Sequence, residues 1–270
     1  MLVAVSATAD YDLPVETFLL LMVEPRVAGD THRVARESLR TTPTPFARLD
    51  VDAYGNPFRR MLAPKGFFCF DFNATIEVTP NAALPKEISE TPPQQLPVDV
   101  LPFTLPSRYC PSDQMIAFAA GEFGKKKTGA AKVQAVADWV NTRIRYEYNT
   151  TDASTGAEEI ILKRMGVCRD FAHLVVALCR ALSLPARYVS GYCLGLDPPD
   201  FHAWAQVYLE NRWHNVDATI VGTRPALIPI AHGRDAADVS LLTLWSPATV
   251  REQSVSVREL FEEDTLGDPD

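Results

Sequence analysis

Cys168 is the residue with the clearest potential for chemistry, because it stands where a long apolar helix is predicted to begin. The apolar segment from Cys168 to Leu182 indicates this helix, and Pro185 follows its end. A thiol at a helix N-terminus faces unpaired backbone N–H groups and the positive end of the helix dipole. Both favour the thiolate and can lower a cysteine pKa from about 8.5 towards about 3.5–7.5. Cys168 is therefore either a nucleophile or, like most free cysteines, a small buried side chain.

A nucleophilic thiolate needs a general base and a group that orients the base, and His202 and Asp217 fit these roles. The alternation around His202 predicts a strand, and a second strand returns after a polar turn. A four-residue loop (209–212) would pair Tyr208 with Trp213 and place Asp217 diagonally from His202 on one face. An odd loop would put the two side chains on opposite faces. Taken singly, His202 could be a hydrogen-bonded core histidine and Asp217 a turn residue.

Other thiol and ionisable groups fit catalysis less well. Cys179 shares the helix face of Cys168 but lies three turns inside the helix, so it is predicted to be core. His173 lies about 140° around the helix from Cys168, which favours a structural or supporting role. Asp170 suits the first helical turn electrostatically, as a carboxylate at a helix N-terminus does. The weaker rival bases are His32, His214 and His232.

The composition is that of a globular chain and excludes several functional classes. The 270 residues are 47% hydrophobic and 22% charged, with a formal net charge of −8. An acidic chain lacks the basic surface of a nucleic-acid binder, and no apolar run reaches the roughly 18 residues of a membrane helix. The five cysteines form no CxxC pair, and no basic leader precedes an apolar stretch. We therefore expect a cytoplasmic protein with free thiols, without metal, cofactor, nucleic-acid or membrane partner; its oligomeric state stays open.

The order of the predicted elements indicates an α+β fold. Residues 1–80 contain short alternating apolar runs separated by turn signals, which predict strands. A proline-rich connector follows, from about residue 80 to 106, and the acidic end from residue 262 is predicted to be a frayed tail. Helices and then strands come next, which favours α+β over βαβ units. The helices are predicted at Ala130–Ile144, Ala157–Met165 and Cys168–Leu182, and the strands at Arg187–Cys193, Ala203–Leu209 and Trp213–Ala218.

Several segments, in this order and spacing, resemble bacterial transglutaminase-like proteins. They are Asp52-Ala53-Tyr54-Gly55-Asn56, Arg164-Met165-Gly166-Val167-Cys168-Arg169-Asp170-Phe171-Ala172-His173-Leu174, Pro185-Ala186-Arg187-Tyr188-Val189-Ser190-Gly191-Tyr192, His202-Ala203-Trp204, Trp213, Val216-Asp217-Ala218-Thr219 and His232-Gly233-Arg234-Asp235-Ala236-Ala237-Asp238-Val239. The resemblance covers nearly the whole chain. It implies a papain-like α+β core, in which a helix bundle bearing the cysteine packs on an antiparallel sheet. The implied domains are a β-rich N-terminal domain with its connector (1–105) and a transglutaminase-like catalytic domain (106–270).

The resemblance also implies a Cys-His-Asp triad, with Cys168 as nucleophile, His202 as general base and acid, and Asp217 as orienter. The reaction would be acyl transfer from amide bonds of a peptide or protein substrate, through a thioester. The backbone N–H of Cys168 is the natural first donor of an oxyanion hole, and no second donor is identifiable. The upstream aromatic candidates, which fit packing better, are Trp139, Tyr146 and Tyr148. One departure is Asp217-Ala218-Thr219, where the family usually has Asp-Pro-Thr.

The leading prediction is a cysteine peptidase or amidase. Hydrolysis ranks above crosslinking because water needs no second substrate site, and the sequence contains no calcium-binding loop of the DxDxDG type. The alternatives are a transglutaminase, which transfers the acyl group to an amine, and a catalytically silent peptide-binding module.

Overall fold

The computed structural model describes residues 1–26, 31–220 and 225–261. Its strands are, in chain order, β1 (Leu2–Leu13), β2 (Thr17–Leu21), β3 (His32–Thr42), β4 (Ala47–Val51), β5 (Pro57–Ala63), β6 (Gly66–Val78), β7 (Arg145–Tyr146), β8 (Met165–Gly166), β9 (Ala186–Cys193), β10 (His202–Leu209), β11 (Arg212–Val216), β12 (Leu227–Gly233), β13 (Leu242–Leu244) and β14 (Thr249–Leu260). Its α-helices are α1 (Ile116–Phe123), α2 (Gly129–Arg143), α3 (Ala157–Lys163) and α4 (Cys168–Ala181). The α-helices are grouped in one part of the chain and the strands of the three larger sheets pair antiparallel, which confirms the predicted α+β class.

The N-terminal region is β-rich because its apolar residues recur at every second position. In β1, alternate residues from Val3 to Leu13 are buried, and β6 pairs with β1 along its length. β6 contributes Phe68, Phe70 and Phe72 to the same core. The strand order is β14-β1-β6-β3 in one sheet and β13-β2-β5-β4 in a second.

The last two strands of the chain return to these N-terminal sheets. β13 pairs with β2, and β14 pairs with β1 over most of its length. The division into residues 1–105 and 106–270 stays a prediction, and the pairing adds that strands from both segments share two sheets. The frayed tail predicted from residue 262 lies outside the described residues.

The proline-rich connector contains short 3₁₀ turns, at Pro93–Gln95 and Leu101–Thr104. A third turn, Ser112–Met115, leads into α1. No side chain caps α1, because the 3₁₀ turn runs directly into the helix.

Helix α4 packs on more elements than the other helices of this region, and its predicted range was correct to within one residue. Every residue from Asp170 to Ala181 is buried, as expected for a helix that is apolar on nearly all sides. It packs on β9 and β10 of a third sheet, whose order is β11-β10-β9-β12. Helix α3 ends two residues earlier than predicted because Arg164 adopts a left-handed conformation (φ 58°), which terminates the helix.

The β10–β11 hairpin has the predicted register with a shorter turn. Tyr208 pairs with Trp213, and the ladder continues to Leu209 and Arg212, so the loop has two residues rather than four. Both loop residues have positive φ, 45° and 64°, as a two-residue hairpin turn of type I′ requires. Because both loop lengths are even, the faces of the two strands are those predicted.

In the part of the chain that the structure describes, no helix is both long and apolar enough to span a membrane.

Arg180 fixes the C-terminal end of α4 to its surroundings. It is 3% exposed, and its guanidinium donates to the carbonyl oxygens of Ala186 (2.8 Å), Leu105 (3.1 Å) and Arg234 (2.7 Å). It also donates to the Ser107 hydroxyl at 3.0 Å. One buried cation thus joins the connector, β9 and the segment after β12 to the helix that begins at Cys168.

Arg180→Met is expected to lower the free energy of unfolding by about 2–4 kcal/mol, because several buried carbonyl groups lose their donor. Urea unfolding measures this change. The control is Arg143→Met, at the exposed end of α2, which is expected to change the free energy by less than about 0.5 kcal/mol. Equal effects of the two substitutions would contradict the anchoring role of Arg180.

Candidate active site

A packed turn places Cys168 at the first position of α4. The carboxylate of Asp170 accepts hydrogen bonds from the Val167 backbone N–H (2.9 Å) and the Thr151 hydroxyl (2.6 Å). A Cβ atom at Gly166 would lie 2.8 Å from the Cβ of Asp170, so only glycine fits there. The sequence Gly-Val-Cys-Arg-Asp therefore folds into one fixed geometry that leaves Cys168 partly exposed at the helix N-terminus.

His202 and Asp217 meet at the open end of the β10–β11 hairpin. The Nε2 atom of His202 lies 2.6 Å from Oδ2 of Asp217, and His202 is 4% exposed. The other carboxylate oxygen, Oδ1, accepts from the backbone N–H (2.9 Å) and the hydroxyl (2.6 Å) of Thr219. The carbonyl of Ala218, at the position where the family usually has proline, accepts from Asn141 at 2.8 Å. These bonds hold the chain after Asp217 without the proline.

The imidazole of His202 lies between Asp217 and Cys168. Because Nε2 bonds to Asp217, Nδ1 is left for the hydrogen bond with the Cys168 side chain. Burial by itself lowers the pKa of His202, but the hydrogen bonds and negative charges of Asp217 and Cys168 outweigh burial and raise it to about 10. The arrangement can therefore keep a proton on the imidazole beside a nucleophilic sulfur.

Trp204 supports this arrangement from the next position on the same face of β10. Its ring is stacked on that of His202, with centroids 6.0 Å apart, and its Nε1 donates to the Asn215 side chain at 2.9 Å. A Cβ at Gly191 would lie 2.7 Å from the Trp204 ring and 2.2 Å from the Ile228 carbonyl oxygen. Glycine at position 191 is thus required for the close packing beneath His202.

Cys168 and His202 both line an open cleft of about 610 Å³. Tyr109 and Tyr188 form an aromatic part of its wall, and residues 239–244 form a mostly apolar part. The other charged residues that line it are Arg108, Arg169 and Asp200. The cleft can admit an extended segment of a peptide to the thiol.

His173 has the supporting position that its helical angle predicted. It is 1% exposed and packs between the rings of Tyr109 (5.1 Å) and Tyr188 (4.9 Å). Its Nε2 accepts from the Ala236 backbone N–H at 3.1 Å. Burial and the charges of Arg169 and Arg180 lower its pKa well below the ordinary value, so the ring is neutral and structural.

The three histidines that were weaker candidates for the base do not line the cleft. His232 bonds to Arg26 through Nδ1 at 3.1 Å, and burial with the charges of Arg187 and Arg26 lowers its pKa to about 3. His32 contacts the Arg26 carbonyl, and His214 lies on β11 opposite Val207. Among the described residues that line the cleft, His202 is the only histidine.

The other cysteines are either core or distant from the cleft. Burial raises the pKa of Cys110, Cys179 and Cys193 to about 12. Cys179 is completely buried, as predicted. Within the described part of the chain, no group of three or more His, Cys, Asp or Glu side chains is placed to hold a metal ion.

Tyr146 is the residue whose position sequence reasoning missed. The β7–β8 ladder pairs it with Gly166, and its hydroxyl lies at the backbone N–H of Cys168, from which it accepts a hydrogen bond. Burial, the charge of Cys168 and the neighbouring Tyr148 raise the pKa of this phenol, so it remains protonated. Trp139 instead packs on Phe118, as predicted. The strand that contains Tyr146 has two residues and is separated from Gly166 by helix α3, so almost no signal for this contact was present in the sequence.

Comparison with known proteins places the chain in a family. Residues 116–218, which include Cys168, His202 and Asp217, match the model of the transglutaminase-like superfamily. The crystal structure of a protein from Cytophaga hutchinsonii described as "a putative cysteine protease" superposes with a TM-score of 0.89 at 34% identity. That match covers 97% of this chain and 91% of the other.

Uncharacterized mycobacterial proteins are also similar. One from Mycobacterium tuberculosis is 36% identical over 146 residues, which are 47% of this chain and 46% of the relative. One from Mycobacterium leprae is 29% identical over 148 residues, or 51% of this chain and 52% of the relative. The chain thus spans about half the length of these curated relatives. From the superfamily match and the full-length structural match together, the chain belongs to the transglutaminase-like superfamily and has the α+β fold of its cysteine-protease-like members.

Proposed function

We propose that the protein is a cysteine peptidase or amidase that cleaves amide bonds of peptides or proteins. Cys168 is the nucleophile, His202 the general base and acid, and Asp217 the orienter. The observation that carries this proposal is the 2.6 Å bond between His202 and Asp217, with Cys168 hydrogen-bonded to the same imidazole at an open cleft. A nucleophile, a base within reach and a third group that orients the base are the elements of covalent catalysis.

His202 already holds a proton on Nδ1, and in the first step the thiolate sulfur of Cys168 forms a bond to the substrate carbonyl carbon. The carbonyl π electrons move to oxygen, and the oxyanion takes hydrogen bonds from the backbone N–H of Cys168 and from the Tyr146 hydroxyl. Tyr146 suits this role because its hydroxyl already lies at that N–H and stays protonated.

In the second step the C–N bond breaks and His202 gives its proton to the leaving amine. A thioester remains on Cys168. His202, now neutral, takes a proton from water and the resulting hydroxide adds to the thioester. The C–S bond then breaks, the acid is released, and the thiolate of Cys168 is left beside protonated His202 as at the start. Asp217 keeps Nδ1 directed at the sulfur throughout.

Hydrolysis is favoured over amine transfer by the likeness to the Cytophaga hutchinsonii protein and by the chemistry itself, since water needs no binding site of its own. Amine transfer and binding without turnover are the two alternatives, and each gives a different result when the products are identified.

Cys168 is expected to react with iodoacetamide at pH 6 faster than the other four cysteines. Three of these are buried with a pKa raised to about 12, and Cys69, which is half-buried, serves as the reference cysteine. His202→Ala is expected to slow the alkylation of Cys168 at pH 6, because the imidazolium no longer stabilises the thiolate. Peptide mass mapping gives the rate at each cysteine. A Cys168 rate equal to that of Cys69, in the native protein, would rule out an activated thiol.

The pH profile is expected to depend on the charge of Asp217. Since the pKa of His202 is raised from 6.5 to about 10, the imidazolium persists at neutral pH and is lost as pH rises through about 10. Protonated His202 is needed for the leaving amine. Asp217→Asn keeps a hydrogen-bonding side chain but removes the charge, so the alkaline limit of casein cleavage should fall by about 1–3 pH units. Asp217→Ala should in addition lose the orientation of the ring and slow turnover.

The matched control for this profile is Asp138→Asn, on the exposed face of α2, which should leave the alkaline limit unchanged. An Asp217→Asn profile that superposes on the native one would show that Asp217 does not set the charge of His202.

The products identify the reaction. Casein incubated with the protein in H₂¹⁸O, with a dansylated alkyl amine present, is expected to yield new amino termini and ¹⁸O-labelled carboxylates, and none with Cys168→Ala. Dansyl incorporation with release of ammonia would instead establish a transglutaminase. Casein binding that Cys168→Ala leaves unchanged, without either product, would establish a peptide-binding module.

A further inference from the structure

Strand β4 is an edge strand whose apolar side chains are exposed. It closes the sheet order β13-β2-β5-β4, so within the part of the chain that the structure describes only β5 pairs with it. Leu49 and Val51 are 52% and 63% exposed, and Phe46, the residue before the strand, is 86% exposed. An edge strand that also exposes apolar side chains is a template for pairing with a further strand.

The other edge strands of the three larger sheets are less suited to such pairing. The ladders of β3, β12 and β14 each contain a register irregularity, and β13 has only three residues. The remaining edge, β11, contains no large apolar side chain that is exposed. β4, by contrast, pairs with β5 over all its residues without a shift, and it contains neither proline nor lysine. Irregularities, short length, proline and lysine are among the features that protect an edge from pairing.

The apolar row of β4 (Ala47, Leu49 and Val51) continues the core-facing row of its sheet. Ala47 pairs with Met61 of β5, which pairs with Leu19 of β2, and the side chains of Met61 and Leu19 are buried. Leu49 and Val51 share the face of Ala47, because alternate residues of a strand point to the same side. The row is thus buried in the middle of the sheet and exposed at β4, so a further strand beside β4 would extend it.

The free backbone groups at this edge belong to the apolar row. The Asp52 N–H donates to the Asn56 carbonyl at 3.0 Å, so the backbone of Asp52 is directed across its hairpin towards β5. In an antiparallel pair, such hydrogen-bonded positions alternate with positions whose N–H and C=O groups point away. Arg48 and Asp50 therefore direct their backbone groups to β5, and those of the apolar row point to the open edge.

The charges of β4 are arranged symmetrically about Leu49, because Arg48 precedes it and Asp50 follows it. If two copies of β4 pair antiparallel with Leu49 opposite Leu49, each Arg48 lies opposite Asp50 of the other copy, and Ala47 lies opposite Val51. A shift by two residues would place Arg48 opposite Arg48 or Asp50 opposite Asp50, and like charges directly opposite are destabilising. A shift by one residue would put the apolar row on the face of the charges.

We infer that β4 is a self-association surface, at which a second copy of this chain adds its own β4 antiparallel about Leu49 and joins the two sheets. Each opposite pair within the apolar row then exchanges both backbone hydrogen bonds, and the charges of Arg48 and Asp50 pair across the joint. The contact does not depend on the proposed function. One short strand a side makes a small interface, so the dimer is weak, as interfaces below about 1,200 Å² are.

Sedimentation equilibrium of the native chain, up to about 500 µM, is expected to show a reversible monomer–dimer equilibrium. Arg48→Asp places a carboxylate opposite Asp50 at both symmetry-related pairs, and it should raise the dimer dissociation constant at least about tenfold. Asp50→Arg should do the same with two guanidinium groups. A mixture of these two variants is expected to dimerise again, because every pair then joins opposite charges. The control is Arg36→Asp, the same change of charge on the exposed edge strand β3, which should leave the constant unchanged.

A cross-linking measurement tests the register. In the dimer the two copies of Leu49 are directly opposite, about 5.5 Å apart between Cα atoms, which is within the range of a disulfide. Leu49→Cys is therefore expected to cross-link to its copy under mild oxidation, and peptide mass mapping identifies the bond. Val51→Cys is the matched control because Val51 is also exposed, while its two copies would lie about 13 Å apart along the strands and should not cross-link.

A native chain that stays monomeric over this range would overturn the inference and would leave an extended segment of another protein as the occupant of the edge. A dimer that Arg48→Asp leaves as tight as the native one would overturn it too, and so would a Val51→Cys chain that cross-links as fast as Leu49→Cys. Thermal unfolding shows whether each variant is folded. If Asp50→Arg does not fold, because Asp50 also bonds to Arg60 at 2.8 Å within its own chain, the two cysteine variants still decide the question.

Discussion

The hydrogen bond between His202 and Asp217 joins two strands and exists in only one register of their hairpin. A slip by one residue would turn Asp217 to the opposite face of the sheet. The turn at Glu210 and Asn211, both with positive φ, sets that register, and the bonds between Asn215 and side chains of β10 hold it from the side. The charge on His202 depends on this pairing, because burial alone would favour the neutral imidazole.

Helix α4 positions Cys168 on the other side of the cleft from these two residues. Asp170 fixes its first turn and Arg180 its last, so Cys168 has one position relative to β10. The N-terminal region supports β9, the strand that pairs with β10. Tyr192 of β9 donates a hydrogen bond to the Val23 carbonyl, and its ring stacks on Phe72 of β6. The two C-terminal strands tie the end of the chain to those sheets as well. The β-rich region thus supports the sheet that carries His202.

The elements with strong hydrophobic periodicity and the register of the hairpin could be predicted from the sequence. Helix α4 is apolar on nearly all sides, and the parity of an even turn fixes which face Asp217 takes, so both could be predicted. The contacts of Tyr146 and Arg180 could not be predicted, because they join residues far apart in the chain. Tyr146 was interpreted as packing because its position at the Cys168 N–H results from a two-residue parallel ladder, which leaves almost no pattern in a sequence.

The buried polar groups around the cleft cost free energy of folding, and they are the kinds of group that a functional site uses. His202, with a raised pKa at 4% exposure, lines the cleft, and so does Ser190, whose hydroxyl is unpaired. The unpaired Nδ1 of His173 lies against the aromatic wall of the cleft. Apolar replacements of similar volume at such positions are often neutral or stabilising in proteins, so packing alone does not account for them. By contrast, Cys179 lies in the hydrophobic core on the same helix face as Cys168. The difference between these two cysteines is therefore set by their neighbours, and the neighbours of Cys168 are those that a charged intermediate and a polar peptide chain would need.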